Sequence, residues 1–513
     1  MRLVETDRWR ISLRTWRLPL RLSSWTASPY APLLVILAVG FGFYAPTIGD
    51  WFFADDFWFL RASQSTPPGS YVLDTFDYRH PGPIIPEFLY RPGYMVVFRG
   101  MYEGFGLHAW PYHFVSLAFH LACGALLWFI ALKITRRPLV GHLAALIFLL
   151  HPAYVVAVAW VVNGNAVMGT FAYLSSLLCF LHHLDGGARR RFYYGASLLA
   201  FVAALLLHPE TSFAIALFPL SYVLLRAGSL RELLSVRAWT QFLPFLVIEI
   251  GFAVTIKLVR QANIDQAMIF KIGPHMAGNY AKYAALALNP YRASTDLFAP
   301  DSIPLNDMRT LMTLAGGVAA GVALLFFERK RLGAGSFALG WFLLAILPET
   351  TWIAGAFARK LYGVGPGLAL AVAVLAVSCW DRVAPRLRGG LRSVAPAVLL
   401  FLVTMLLGAR VLMMTDAFRK DAEGYHYMVE QVRTSTPVLP EGSRLYLVGV
   451  PWVMLVGGNE ALGLASALRL YYGDIEIFVV VSDEQLARLP DPPRANDVVF
   501  RYRCPPICQP PLN

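Results

Sequence analysis

The chain has 513 residues, of which 57% are hydrophobic and only 15% are charged. A soluble protein of this length would need far more charge to cover its surface, so the composition excludes an ordinary soluble globular fold. The net charge of +12 does not indicate a nucleic-acid partner, because the basic residues stand in short clusters between apolar runs. The sequence also lacks a glycine-rich phosphate-binding loop and the Cys/His spacing of a metal site.

Apolar runs of about 20 residues recur along most of the chain, and each is long enough to cross a bilayer as a helix. The first run follows a long basic segment and lacks a small-residue cleavage site, which indicates a retained membrane helix and not a removed signal peptide. The hydropathy pattern predicts about eleven spans, which lie near Pro32–Ile48, Tyr112–Leu132, Val140–Val158, Ala166–Leu181, Tyr193–Leu207, Thr211–Leu225, Phe242–Leu258, Leu311–Phe327, Ser336–Leu347, Tyr362–Val377 and Val394–Met413.

Basic residues set the predicted orientation of these spans. Residues 1–31 contain six arginines, and the positive-inside rule places them in the cytoplasm. Successive spans cross the membrane in alternate directions, which assigns five loops to the cytoplasmic side. These loops are all short and arginine-rich, namely "KITRRP", "GGARRRF", "RAGSLRELLSVR", "ERKRLG" and "DRVAPRLRGGLR". The sequence therefore predicts a basic cytoplasmic segment at 1–31 and a transmembrane module at 32–414. The loop 49–110 and the tail 415–513 then lie outside.

Composition changes in the tail. Three runs, "SRLYLVGV", "EIFVVVSD" and "DVVFRYR", are rich in β-branched and aromatic residues and are typical of strands. Between the first two, "NEALGLASALRLYYG" has helical apolar periodicity and ends at a glycine. These runs predict a small extracytoplasmic α/β domain. Near its end, Cys504 and Cys508 enclose two prolines, and a disulfide bridge and two free thiols stay open as equal alternatives.

Unusual polar residues collect on the predicted outer face. Asp55 and Asp56 stand in "GDWFFADDFWFLR", just outside the first span, where carboxylates are costly to place unless they are needed. The other polar residues assigned to this face are Arg91, His151, Glu210, Arg359 and Lys360. Acid, base and cation therefore converge on one side of the membrane, which indicates an active site at the boundary between water and lipid.

Residues of these types suit the transfer of a sugar from a lipid carrier. A carboxylate can take the proton of an acceptor hydroxyl while the oxygen attacks the anomeric carbon. A cation can stabilise the charge that develops on the phosphate of an isoprenoid leaving group. Successive helical residues point about 100° apart, so Asp55 and Asp56 do not both face one substrate. We expect one to act as the base, and the other to orient it or to cap the following helix.

Several motifs follow one another in a recognisable order. They are the acidic pair, "YRP" at Tyr90–Pro92, "GLHAWPYHFVSLAFH" with His113 and His120, "HPAYVVAVAWV" and "LLHPE". A later segment, "LGWFLLAILPETTWIAGAFARKLYGVGPGLAL", keeps Arg359 and Tyr362 of an Arg-Tyr-Leu-Tyr core. On these residues the chain resembles polytopic glycosyltransferases of the GT-C fold. It is most similar to bacterial relatives of protein O-mannosyltransferases and of the transmembrane, TPR-containing O-mannosyltransferases, without the TPR array.

The resemblance implies an α-helical polytopic membrane protein with a GT-C-like arrangement of helices and a small C-terminal α/β domain. It further implies transfer of a sugar from a polyprenyl-phosphate carrier to a protein or glycan hydroxyl, on the extracytoplasmic face of the plasma (inner) membrane and in contact with its lipids. Asp55 is the implied base and Asp56 its partner. The residues implied in binding the donor phosphate are Arg91, His151, Glu210, Arg359, Lys360 and Tyr362. The resemblance fixes no cofactor and leaves room for a divalent metal.

Departures from the family pattern leave other functions open. Val156 stands where relatives carry a glutamate, "VNGNAVMG" follows where they carry an arginine and an aspartate, and Ala358 replaces an acid before Arg359. An inactive relative that presents its tail domain to partners is therefore one alternative. A transporter or flippase is another, with Glu249 in the middle of a span as a proton site. Such proteins show inverted repeats and broken helices near the midplane, and the sequence shows neither.

Overall fold

The computed structural model of the chain describes residues 30–77, 90–210, 216–227, 235–261, 271–294, 301–327, 333–353, 355–387, 389–440, 442–450, 462–480 and 482–502. Cys504 and Cys508 lie outside the described residues. In the described part, α-helices dominate residues 30–435. In chain order these are α1 Tyr30–Tyr44, α2 Asp56–Ser65, α3 Pro68–Phe76, α4 Pro92–Phe105, α5 Ala109–Thr135, α6 Pro138–Leu149, α7 Val155–Ala159, α8 Gly164–Asp185, α9 Arg190–Leu207, α10 Leu217–Tyr222, α11 Val236–Gln261, α12 His275–Leu288, α13 Met308–Phe327, α14 Ala334–Ile346, α15 Gly365–Val383 and α16 Gly389–Ser435.

Membrane-length helices account for most of this part. Within the described ranges, nine helical segments are long and apolar enough to cross a bilayer, and a bent pair formed by α6 and the segment Pro152–Ala159 makes ten. These segments overlap ten of the predicted spans; the remaining one, Thr211–Leu225, lies partly outside the described residues. The chain is therefore an α-helical multi-pass membrane protein, as its composition predicts.

The bend after α6 has a local cause. Its two halves meet at 51°, at the dipeptide His151–Pro152. Proline has no backbone N–H to donate and disfavours helical geometry in the residue before it, and His151 accordingly has an extended backbone, with φ −73° and ψ 115°. The chain then continues as short helical pieces up to Asn163. This irregular stretch lies beside the acidic pair, as the next subsection describes.

Two ion pairs bring the predicted inner loops to the same end of the helix bundle. Arg137, just after α5, donates to both carboxylate oxygens of Asp381 near the end of α15, at 2.6 and 3.0 Å. Lys133 in the last turn of α5 pairs with Asp185 at the end of α8. The loops "KITRRP", "GGARRRF" and "DRVAPRLRGGLR" therefore share one end, as the alternation of basic clusters predicts.

Helix α16 runs without a break from the membrane into the tail. The predicted boundary at 414/415 falls inside it, and the helix ends only at Ser435. The residues after Met414 include several good helix formers and no proline, and the first proline beyond them is Pro437, which disfavours helical geometry at Thr436. The α/β part of the tail thus begins about 20 residues later than the sequence pattern indicates.

The tail contains a small parallel sheet. Its strands are β1 Leu445–Val448, β2 Ile477–Val480 and β3 Val498–Arg501, each within one of the runs predicted as strands. Their order is β2-β1-β3, and β1 pairs in parallel with both neighbours. Helix α17 Leu462–Tyr472 lies between β1 and β2 in the chain, and the short α18 Asp483–Ala487 follows β2. Helix α17 packs against α2, the helix that begins at the acidic pair.

Candidate active site

The two adjacent aspartates have different surroundings. Asp56 is fully buried. Its Oδ2 accepts a hydrogen bond from the backbone N–H of Phe53 at 2.9 Å, and its Oδ1 accepts from the backbone N–H of Val162 at 2.8 Å. Both carboxylate oxygens are thereby occupied. Asp56, the first residue of α2, fixes the backbone just before this helix and ties it to the irregular stretch before α8.

A second contact fixes the same turn. The indole N–H of Trp160 donates to the carbonyl oxygen of Phe53 at 3.1 Å, and the rings of the two residues meet edge to face, with centroids 5.5 Å apart. The aromatic residues around the acidic pair therefore form a rigid wall. Ala54, between Phe53 and Asp55, has a positive φ of 48°, which is unfavourable for any residue with a Cβ.

Asp55 is exposed to solvent, in contrast to its neighbour. Among the described residues, no hydrogen-bond donor lies within bonding distance of its carboxylate. Although part of the residue is exposed, protein atoms pack around its carboxylate. This packing raises the pKa of Asp55 to about 6, and the positive charge of Arg359 partly opposes the rise. The result is an accessible carboxylate that is ionised at neutral pH and has a pKa close to it, which are the properties of an effective general base.

Arg359 is the cation that acts on Asp55. It belongs to the single-turn helix Ala358–Leu361, and its guanidinium carbon lies 4.3 Å from the ring centre of Phe357 and 5.8 Å from that of Trp160. Burial lowers the pKa of Arg359, and the electrostatic effects of Tyr283 and Asp55 oppose this. Arg359 therefore shares the Trp160 wall with the acidic pair.

Asp301 holds the segment that carries Arg359. Its Oδ2 accepts a hydrogen bond from the backbone N–H of Ala358 at 2.6 Å, and its own N–H donates to the carbonyl of Ala356 at 2.8 Å. The other carboxylate oxygen accepts from the N–H of Ser294. The sequence pattern lacks an acid at Ala358, and here an aspartate from a distant segment lies at that backbone. No sequence signal identifies Asp301, because its role depends on contacts across 57 residues.

A second group of charged side chains lies on the other side of this segment, where Lys360 points. Arg91 donates to Glu210 Oε1 at 2.7 Å. The Lys360 ammonium lies 4.0 Å from the same oxygen and 3.6 Å from Glu349 Oε2. His208 Nδ1 lies 3.3 Å from Glu210 Oε2. We call these five residues the ion cluster; the sequence interpretation included Arg91, Glu210 and Lys360 but missed Glu349 and His208.

The two carboxyl groups of the ion cluster differ in their ionisation. Burial lowers the pKa of His208 to about 3, so this imidazole is neutral. Burial alone raises the pKa of Glu210, but the charges of Arg91 and Lys360 hold it well below its usual range. Burial raises the pKa of Glu349 to about 7, and Lys360 partly opposes this rise. Arg91 and Lys360 already have carboxylate partners, and their assignment to the donor phosphate, together with that of Glu210, stays a prediction.

His151 and Tyr362 belong to neither group. His151 Nε2 lies 3.0 Å from the carbonyl oxygen of Ala287, and its ring stacks on Tyr154. The Tyr362 hydroxyl lies 2.8 Å from His120 Nδ1, and Tyr362 is fully buried. The contacts of both residues are those of a packed aromatic core. The sequence-based assignment of these two side chains to donor binding stays a prediction.

The described residues include no group of three or more His, Cys, Asp or Glu side chains placed to hold a metal ion.

Among the residues that the sequence interpretation missed, Glu349 has the clearest sequence signal. It stands in "LPETT" at the end of a predicted span, where an acid is unusual.

Comparison with known proteins gives partial matches. No family model matches the chain. It is 28% identical over 154 residues to Protein O-mannosyl-transferase TMTC2 of Mus musculus, and equally to that of Homo sapiens; the match covers 29% of this chain and 18% of each relative. The chain therefore spans less than a fifth of the length of the curated relatives it matches.

Comparison with solved structures also gave matches of low sequence identity. ArnT from Cupriavidus metallidurans bound to undecaprenyl phosphate is 16% identical, with a TM-score of 0.45, covering 88% of this chain and 86% of that one. The archaeal oligosaccharyltransferase AglB from Archaeoglobus fulgidus, in complex with an inhibitory peptide and a dolichol-phosphate, is 10% identical, with a TM-score of 0.47, covering 88% and 64%. The sequence motifs indicate a resemblance to O-mannosyltransferases. The curated matches confirm this resemblance as a similarity over 29% of the chain.

Proposed function

We propose that this protein is a membrane glycosyltransferase that moves a sugar from a polyprenyl-phosphate carrier to an acceptor hydroxyl, with Asp55 as the general base. The observation that carries this proposal is the difference between the surroundings of the two adjacent aspartates. Asp56 uses both carboxylate oxygens to hold the backbone, whereas Asp55 is exposed, has its pKa raised to about 6 and lies close to a cation, Arg359.

The reaction uses these residues in one displacement. The Asp55 carboxylate takes the proton of the acceptor hydroxyl, and the acceptor oxygen forms a bond to the anomeric carbon. The bond from that carbon to the carrier phosphate breaks, and its electron pair leaves with the phosphate. Arg359 stabilises the negative charge that develops there. Its guanidinium is suited to this role, because it can present two parallel N–H groups to one phosphate.

Three details of the proposal rest on resemblance and on charge distribution. The name of the curated relatives, protein O-mannosyl-transferase, makes mannose the first donor sugar to test and a protein hydroxyl the first acceptor. The isoprenoid part of the carrier lies in the bilayer, beside the spans. The arginine-rich loops support a site on the extracytoplasmic face of the plasma (inner) membrane.

The proposal is tested by reconstituting the full chain in nanodiscs with a polyprenyl-phosphate mannose and a peptide rich in serine and threonine. We expect mannosylated peptide and free polyprenyl phosphate in equal amounts, and neither with Asp55→Asn. A panel of other polyprenyl-phosphate sugars extends the test to other donors. Failure of the wild-type protein to transfer any of them would favour the inactive relative or the transporter.

A further inference from the structure

The tail helix α17 touches the backbone directly in front of the proposed base. A Cβ atom added to Gly463, in the first turn of α17, would lie 2.7 Å from the carbonyl oxygen of Ala54, 2.8 Å from its carbonyl carbon and 2.9 Å from its Cα. Atoms do not approach so closely, so only glycine fits at position 463. The tail helix and the peptide group that joins Ala54 to Asp55 are therefore in backbone-to-backbone contact.

The contacted peptide group is itself part of the site. The carbonyl oxygen of Ala54 accepts a hydrogen bond from the N–H of Phe57 at 3.2 Å, which closes the first turn of α2. Ala54 also has a left-handed backbone with φ 48°, a conformation that persists in a residue with a Cβ only when its surroundings enforce it. The close approach of Gly463 is one such enforcing contact. Moving this carbonyl would reorient Asp55, the next residue.

Further contacts keep α17 alongside α2. Arg61 pairs with Asp474 at 2.5 Å, and the side-chain amide of Gln64 donates to the carbonyl of Leu470 at 3.3 Å. At the far end of α17, the Tyr472 hydroxyl donates to the carbonyl of Thr436, just after α16, at 2.7 Å. The tail helix is thus fixed at several points along α2, and its position is set relative to the membrane helix α16.

We propose that α17 is a positioning element of the active site, and that Gly463 is a positioning residue that fixes the orientation of the Asp55 carboxylate. This inference rests on the proposed function, because it assigns a role relative to the general base. It makes the extracytoplasmic tail a part of the catalytic unit and not a separate binding domain. It also gives events on the tail, such as acceptor binding, a direct mechanical route to the base.

The test compares Gly463→Val with a matched control in the full-length protein in nanodiscs. The control is Gly100→Ala on α4, where an added Cβ meets nothing within 4 Å. We expect Gly463→Val to lower the transfer rate by about 10²-fold, since a misplacement of about 1 Å has this effect on catalysis. We also expect the midpoint of its pH–rate profile to move away from that of the wild type, and donor affinity to change by less than about twofold.

Two results separate positioning from a general loss of folded protein. Partial unfolding lowers the rate by the same factor at every pH and leaves the midpoint of the pH–rate profile unchanged. If Gly463→Val behaves in this way, the proposal is overturned. A wild-type rate in Gly463→Val would also overturn it. If instead Asp55→Asn transfers sugar at the full rate, the proposed function itself fails. An inactive Asp55→Asn combined with a fully active Gly463→Val refutes the positioning role alone.

A second set of variants decides the matter if Gly463→Val does not fold. Asp474 is highly exposed, so Asp474→Arg reverses its charge without disturbing the core. We expect this variant to lower the rate about twofold to fivefold, within the range of a surface ion pair, and the double variant Arg61→Glu/Asp474→Arg to recover it. A wild-type rate and pH–rate profile in Asp474→Arg would then overturn the proposal.

Discussion

At the residue scale, the acidic pair shows how two identical neighbours acquire different chemistry. Asp56 faces inward and binds two backbone N–H groups, and Asp55 faces an accessible space beside Arg359. The sequence identified the pair and predicted that only one carboxylate faces the substrate, because successive helical residues diverge by about 100°. Helix geometry alone could not tell which one, because the answer depends on Val162, more than 100 residues away; the family resemblance implied Asp55.

The different roles predict different stabilities. Asp56→Ala leaves the N–H groups of Phe53 and Val162 buried without an acceptor, at a cost of about 1–3 kcal/mol for each, so its melting temperature in detergent should fall clearly. Asp55→Asn should be at least as stable as the wild type at pH 7.5. Its folded pKa of about 6 exceeds the ordinary 3.8, so stability falls as the pH rises from 3.8 to about 6 and stays at the lower value above that, and asparagine avoids this cost. Equal melting temperatures for Asp56→Ala and the wild type would contradict the role of Asp56 in holding these two backbone N–H groups.

The pKa of Asp55 also predicts the pH dependence of transfer. A general base works only when it is deprotonated, so the rate should rise with pH below about 6, by about tenfold per unit well below the midpoint, and level off above it. Loss of the Arg359 charge removes an effect that lowers this pKa, so the midpoint in Arg359→Ala should move to higher pH. The measurement is transfer rate against pH at saturating donor. A midpoint near 4 in the wild type would mean that the pKa of Asp55 is that of an ordinary solvent-exposed aspartate, and it would contradict the raised pKa.

At the element scale, short irregular segments position the site between long helices. The bend at His151–Pro152 leads into the stretch whose Val162 N–H binds Asp56, and the single-turn helix Ala358–Leu361 sends Arg359 and Lys360 to different groups of acids. The sequence predicted the membrane helices well, because apolar length is a local property. It missed Asp301, because its partner Ala358 lies 57 residues away. It missed Glu349 and His208, because the ion cluster forms only when Arg91, Glu210 and Lys360 come together from separate parts of the chain.

Asp301 provides the test at this scale. Asp301→Ala removes the acceptor for the N–H of Ala358, and the segment that carries Arg359 loses its anchor. We expect donor affinity to fall by about tenfold, which corresponds to about 1.4 kcal/mol, with a smaller effect on acceptor affinity. The matched control is Asp307→Asn, which alters an ion pair with Arg292 farther along the same stretch. Unchanged donor binding in Asp301→Ala would show that Arg359 is held by other contacts.

At the scale of the whole molecule, charge separates the two ends of the bundle. One end collects the arginine-rich loops, joined by the Arg137–Asp381 and Lys133–Asp185 pairs. The acidic pair, the ion cluster and the tail lie on stretches that the sequence predicted for the opposite face. The grouping of three of these loops at one end could be predicted because the positive-inside rule sums many weak local signals; which end faces the cytoplasm stays a prediction. The docking of the tail on α2 could not be predicted, because it depends on contacts between distant parts of the chain, such as the close approach of Gly463 to Ala54 and the Arg61–Asp474 pair.

Labelling of single cysteines tests this arrangement. Arg190 and Arg494 are both exposed, the first in an arginine-rich loop and the second in the tail. In a background with Cys379, Cys504 and Cys508 replaced by serine, a membrane-impermeant thiol reagent applied to intact cells should label Arg494→Cys. It should label Arg190→Cys only after the membrane is permeabilised. Labelling of both positions from the same side would contradict the predicted topology.

The most direct test of the central claim measures donor binding and single-turnover transfer separately in the same preparations. For Asp55→Asn, we expect a donor Kd within about threefold of the wild type and a transfer rate lower by about 10²–10⁴-fold, because the base is lost but the phosphate site is not. For Arg359→Ala, we expect both donor affinity and transfer rate to fall. Transfer by Asp55→Asn at the wild-type rate would contradict the assignment of Asp55 as the base.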